Sequence, residues 1–238
     1  MVLKAEGVSK NFIRETENSN IFEALEKTDF ELKPGELTVL VGLSGSGKTT
    51  LMNILAGLLS PDEGKVMLDG TDLYDMEDKA LSVFRNRHFG IIPQGQTAIS
   101  TLTVLENVIL PATIYKNAGG SRNSADNKTE SKADLVGKAE TLLGKMGILY
   151  LKNVFPKELS GGELRRVSIA RALINEPEII FADEPTSDLD EKNTELVFDI
   201  LKGIAGEGKA VLAVTHEHDA GRFADRIYRM DEGVLKEE

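Results

Sequence analysis

The segment Gly42-Leu-Ser-Gly-Ser-Gly-Lys-Thr49 constrains this chain more than any other, because it stands between an apolar run at 37–41 and a helix-like run at 50–58. Strand, glycine-rich turn and helix in that order make the phosphate-cradling pattern GxxxxGK[ST], the P-loop. Gly42, Gly45 and Gly47 let the backbone turn sharply and bring N–H groups close to phosphate oxygens that a Cβ would obstruct. The helix beginning near Gly47 adds a partial positive charge at its N-terminus. Lys48 would reach the β- and γ-phosphates, and the Thr49 hydroxyl would ligate Mg²⁺. The candidate nucleotide-binding set at this turn is Gly42, Ser44, Gly45, Ser46, Gly47, Lys48, Thr49 and Thr50. Its bland alternative is a glycine-rich turn that binds nothing.

A chain of 238 residues is long enough for one core, or one domain with a subdomain. Its formal charge of −11 argues against a nucleic-acid partner, which would need clustered Lys and Arg. Cysteine is absent, which excludes disulfides and thiolate metal sites and fits a reducing compartment. No uncharged apolar run approaches bilayer length, and the first residues lack the apolar core of a signal peptide. The expectation is a cytoplasmic protein whose membrane role, if it has one, comes through a partner.

Residues 2–8 alternate as an edge strand would, and 28–32 make a second strand that ends at Lys33-Pro34-Gly35. Phe12 has a face that could stack on a base, but its spacing alone favours a core position. Short strands are expected at 65–69 and 89–92, with a helix at 77–87 between them. Gln94 follows the strand at 89–92, where ligands gather in open α/β sheets and where a glutamine could ligate Mg²⁺, although without further context an ordinary loop glutamine is the default reading. Helical patterns then dominate, at 103–115, about 133–146 and 162–174, as a helical insertion in a sheet domain. The polar stretch 116–132 has no large apolar residue and reads as an exposed mobile loop. Ser160 and Glu163 fit a capping box. Gly161 and Gly162 exceed what a cap requires and suggest a second phosphate-binding surface. Residues 178–182 form a buried parallel strand that ends in Asp183 and Glu184. In a P-loop protein Asp183 would hold Mg²⁺ and Glu184 would polarise the attacking water. Asp190 opens a further helix, and the strand at 210–214 leads to His216, whose imidazole could meet a γ-phosphate, although a histidine at a strand end is, taken alone, more often structural. A hairpin of 226–230 and 234–236 closes the chain.

GLSGSGKT, Gln94, LSGGE, IIFADEP, SDLD and His216 stand in the order and spacing of an ABC-type ATPase domain, which the whole chain resembles. The resemblance implies an α/β fold: a P-loop NTPase core with a mostly parallel sheet, an antiparallel β subdomain and a helical signature subdomain. It divides one domain into a core at 1–94 and 176–238 and a helical part at 95–175. It implies an ATPase that uses ATP and Mg²⁺, with Glu184, His216, Lys48 and Gln94 as catalytic candidates and Thr49, Gln94 and Asp183 around the metal. Phe12 falls on the family's adenine-stacking aromatic, Gln94 on the glutamine that senses Mg²⁺ and contacts the transporter, and Asp190 on the aspartate that communicates across a dimer. Ser160, Gly161, Gly162 and Glu163 lie in the signature, which in the family closes over ATP held by a second copy. The implied partners are that second copy and an integral membrane permease, which would hold the chain at the inner face of the membrane. ELSGGELRRVSIARAL and FADRIYRMDEG resemble the branch of lipoprotein release, macrolide or antimicrobial-peptide export and cell division. Ser187 is commoner in amino-acid importer cassettes, which supply one alternative. A non-transport ABC ATPase and a regulatory module without hydrolysis are the others.

Overall fold

The structure is a computed structural model that describes residues 1–13, 21–117 and 131–238. Its strands are β1 (Leu3–Ile13), β2 (Ile21–Leu32), β3 (Leu37–Val41), β4 (Glu63–Leu68), β5 (Thr71–Asp72), β6 (Phe89–Ile92), β7 (Ile179–Asp183), β8 (Ala210–Thr215), β9 (Arg226–Asp231) and β10 (Val234–Glu237). The helices are α1 (Lys48–Leu55), α2 (Asp78–His88), α3 (Val104–Asn117), α4 (Lys132–Lys145), α5 (Gly161–Leu173) and α6 (Glu191–Gly206).

Two sheets organise these elements. Six strands lie in the order β10-β9-β3-β8-β7-β6, all parallel except the terminal β10. Four antiparallel strands form the second sheet in the order β2-β1-β4-β5. β1 is therefore interior, paired on both sides, and the edge-strand expectation for 2–8 is corrected. Leu3 and Ala5 alternate with exposed residues, and a register irregularity between Ala5 and Val8 leaves Val8 and Ser9 both buried; a burial pattern of this kind carries no information about how many neighbours the backbone has. The helix starts and buried strands fall within a few residues of their expected positions. Of the expected polar loop 116–132, residues 118–130 lie outside the described residues. Its ends are not loop: α3 runs to Asn117, and Ser131 caps α4 in a capping box with Asp134.

The central strands read LTVLV, IIFAD and AVLAVT, and every residue in them is buried, as a sheet covered on both faces requires. Alternate side chains go to opposite layers. Leu37, Val39, Val41, Ile180, Ala182, Val211 and Ala213 join a core with α3, α4, α5 and α6. Leu40, Ile179, Phe181, Leu212 and Val214 join another with α1 and with Leu3, Leu25, Phe30 and Leu32 of the antiparallel sheet. The parallel sheet is thus the middle of three layers.

This topology places the site. β3, β8, β7 and β6 are adjacent and parallel, with Val41 opposite Thr215, Asp183 opposite Val214 and Ile92 opposite Ala182. Their carboxyl ends share one edge of the sheet. The P-loop, His216, the Asp183-Glu184 pair and Gln94 follow those four ends in turn, so residues far apart in sequence meet there.

Candidate functional site

The P-loop is shaped by packing as well as by its own backbone. A Cβ on Gly42 would stand 2.2 Å from the Met230 carbonyl oxygen, and one on Gly47 would stand 2.2 Å from that of Ala24. These two glycines are therefore demanded by β9 and β2 crossing close to the loop, independently of any ligand. Gly47 also has φ +107°, a conformation that side chains rarely adopt. Gly47→Ala is expected to lower stability by about 2 kcal/mol or more, from backbone strain and the clash together. A chemical denaturation midpoint equal to that of the wild type would refute this account of the loop.

The N-terminus of α1 differs from those of α4, α5 and α6. Ser131, Ser160 and Asp190 cap α4, α5 and α6 through their side chains, whereas Gly47 offers α1 none. The first N–H groups of α1 thus face the loop with no side-chain acceptor, the condition under which a helix end takes an anion. Lys48, 5% exposed, donates from Nζ to the carbonyl oxygens of Gly42 and Leu43, each at 2.8 Å. An ammonium has three donors, so one remains for a phosphate oxygen. Burial pushes the Lys48 amine down from its ordinary value, against the opposing fields of Glu184 and Asp183. Ser46 is also buried, and its hydroxyl oxygen has no hydrogen-bond partner.

Across from the loop, the Thr49 hydroxyl donates to Asp183 at 3.2 Å (Oδ1) and 3.4 Å (Oδ2). Burial raises the Asp183 carboxyl, while the Thr49 hydrogen bond opposes the shift. A desolvated carboxylate beside a hydroxyl is a hard-oxygen pair suited to Mg²⁺, which takes few protein ligands and completes its shell with phosphate and water. The residues present therefore fit the ion. Glu184 is 9% exposed and has φ +44°, a strained position for a residue with a side chain. Its N–H donates to the Val214 carbonyl at 2.8 Å. Its Oε2 accepts from Thr215 Oγ1 at 3.3 Å and lies 2.9 Å from His216 Nδ1. The strain and these contacts fix one carboxylate at the sheet edge.

A cavity of about 430 Å³ opens there, lined by Phe12, Ile13, Phe22, Ala24, Ser44, Gly45, Gly47, Lys48, Thr49, Thr50, Gln94 and Glu184. Phe12 is 38% exposed, so the core position suggested by spacing is corrected, and the aromatic is available at the cavity wall. Gln94 is exposed at the same cavity. Phe22 and Ala24 were not foreseen, since only the pairing of Phe12 with Phe22 across β1 and β2 brings them in. Arg165 was missed as well: it is buried on α5 and donates to the Pro93 carbonyl at 2.9 Å, tying that helix to the residue before Gln94.

Ser160, Gly161, Gly162, Glu163 and Asp190 do not line this cavity. Ser160 and Glu163 form the expected capping box, and Asp190 caps α6 by accepting from the Asn193 N–H at 2.8 Å. A Cβ on Gly162 would lie 2.5 Å from Asn193 Oδ1, whereas one on Gly161 would meet nothing closer than 3.6 Å. Gly162 therefore has a packing reason to be glycine, and Gly161 is the one of the pair whose surface lies open.

Comparison with known proteins accords with this geometry. The ABC transporter family matches residues 25–187. The chain is 37% identical to the lipoprotein-releasing system ATP-binding protein LolD of Bacteroides thetaiotaomicron, over the full length of both. It is 40% identical to the protein of the same name from Aquifex aeolicus, over 98% of this chain and 96% of that one. With the macrolide export ATP-binding/permease protein MacB of Campylobacter fetus it shares 38% identity over 98% of its own length but 34% of the longer protein. The dimeric structure of the bacterial ABC transporter cassette MJ0796 superposes with a TM-score of 0.86 at 35% identity, covering 99% of this chain and 97% of that one. The same cassette bound to ADP and Pi in a dimeric post-hydrolysis state gives 0.85. The family match across residues 25–187 and relatives of 35–40% identity over nearly the whole chain show that this chain belongs to the ABC transporter family as an ATP-binding cassette.

Proposed function

We propose that this chain is an ATP-hydrolysing subunit that pairs with a second copy around two ATP molecules, each with Mg²⁺, and drives a separate membrane permease of the export or mechanotransmission type. The separation of the P-loop cavity from the Ser160 turn carries the reading, because each chain then holds two halves of different sites. It is supported by the dimeric cassettes that share this fold and by relatives named for lipoprotein release and macrolide export. No helix among the described residues is long and apolar enough to cross a membrane. The chain would reach the cytoplasmic face of one through its permease. Residues 1–94 and 176–238 would act as the nucleotide-binding core with its antiparallel subdomain, and 95–175 as the helical part that carries the signature.

The chemistry follows from the positions of side chains. Phe12 would stack on the base while the P-loop N–H groups and Lys48 hold the phosphates. Mg²⁺, when bound, would offset charge on the β- and γ-phosphates, with Thr49, Asp183 and Gln94 as its protein neighbours. Glu184 would orient a water and accept its proton, and His216 would keep the carboxylate in place and meet the terminal phosphate. Ser160, Gly161 and Gly162 of the second copy would close the opposite side of the triphosphate.

A groove of about 420 Å³ between α2 and α3 gives the permease a place to dock. Val83, Phe89, Ile91, Pro111 and Ile114 supply its apolar surface, with Lys79 and Arg85 beside them. Arg171 borders it and donates to the Thr97 carbonyl at 2.8 Å, three residues past Gln94, so the groove is mechanically close to the cavity. Ile114 is 54% exposed there. Ile114→Asp would leave a charge unpaired in the interface and should reduce the permease recovered with the chain from membranes by about tenfold. Undiminished recovery would remove the groove from the docking surface, and absence of any membrane protein with the wild type would count against the permease itself.

A further inference from the structure

The signature turn carries a contact that its capping role does not require. Glu163 Oε2 accepts from the Ser160 N–H at 2.8 Å and from the Ser160 hydroxyl at 2.7 Å. Its other oxygen, Oε1, accepts from the Tyr150 hydroxyl at 3.1 Å. Tyr150 is 72% exposed, so burial does not explain its position. The Glu163 carboxyl is held below the ordinary carboxylate range by the backbone N–H and hydroxyl of Ser160, as expected of a charged acceptor in use. A hydroxyl has one proton to donate, and in this arrangement Ser160 gives it to Glu163. If Ser160 is to donate to a phosphate, that bond has to be given up.

We propose that Glu163, steadied by Tyr150, competes with the terminal phosphate for the Ser160 hydroxyl and so sets the ATP concentration at which two copies close. The inference rests on the paired-copy reading above and adds a tuning device within the chain. A hydrogen bond to a carboxylate is roughly twice as strong as one to a neutral amide, so glutamine at this position would release the hydroxyl more readily. It would keep the helix start, because S-x-x-Q is equally a capping box. Tyr150 touches neither nucleotide nor phosphate in this scheme and acts only by holding Glu163.

The test uses the full chain carrying Glu184→Gln, with ATP-dependent dimer measured by light scattering across an ATP titration. Adding Glu163→Gln should lower the ATP concentration for half-dimerisation about fivefold. Tyr150→Phe, which leaves the Glu163 charge in place, should lower it about twofold, and combining the two should give no more than Glu163→Gln alone. In a Ser160→Ala background, Glu163→Gln should have no further effect. A midpoint that stays or rises with Glu163→Gln would overturn the proposal, since a purely structural cap predicts that result. An equal drop in the Ser160→Ala background would also overturn it, by assigning the effect to charge alone. Failure of the Glu184→Gln chain to dimerise at any ATP concentration would instead refute the paired-copy reading, and the tuning device with it.

Discussion

Replacing Glu184 with glutamine is expected to slow ATP hydrolysis by about 10²- to 10⁴-fold, the range removed with a general base, while ATP still binds. The consequence is a dimer that accumulates with ATP instead of turning over. The expectation comes from how this carboxylate is held. Its backbone sits at φ +44°, its N–H is tied to the Val214 carbonyl, and Oε2 meets both Thr215 and His216. Such strain is retained only where neighbours over-determine the position. Glutamine has nearly the same shape, and its carbonyl oxygen can still accept from Thr215, so the strand end should survive the change. What is lost is the capacity to take a proton from water. Phosphate release in single turnover, together with size-exclusion chromatography in ATP, would check both halves. A rate within a few fold of the wild type would remove Glu184 from the chemistry, and a persistent monomer would refute the paired-copy arrangement.

The sheet edge on which Glu184 lies was legible in the sequence because buried parallel strands advertise themselves. IIFAD and AVLAVT leave no polar face, so 178–182 and 210–214 could be placed without knowing their partners. The loop after each strand then had to lie at the sheet edge, which located Asp183, Glu184 and His216. The antiparallel sheet was harder to read. The inner position of β1 depends on pairing with β2 on one side and β4 on the other, and alternation within β1 cannot report that. Phe12 shows the same limit, since its exposure is decided by the end of β1 lying at the wall of the P-loop cavity. Local chemistry found the Ser160-Glu163 box, but Asn193 against Gly162 and Tyr150 against Glu163 are contacts between segments with no shared pattern. The residues missed were those whose roles arise from such crossings.

Lys48→Ala should weaken ATP binding by about 10- to 100-fold, from the loss of charge-assisted hydrogen bonds to phosphate worth roughly 1.5–3 kcal/mol. The lysine is almost fully buried, and burial disfavours its charge. The protein therefore bears a solvation penalty to hold an ammonium beneath the loop, which a triphosphate would offset. Two of its donors also secure the Gly42 and Leu43 carbonyls, so alanine should loosen the loop as well as remove the charge. The two effects act in the same direction on affinity. They separate in a chain carrying both Lys48→Ala and Glu184→Gln, which should remain monomeric at ATP concentrations that dimerise Glu184→Gln alone, because binding has to precede closure. Calorimetric titration with ATP gives the affinity directly. A dissociation constant unchanged by Lys48→Ala would mean that the cavity beside Phe12 and the P-loop is not where the nucleotide's phosphates are held, whatever the family to which the chain belongs.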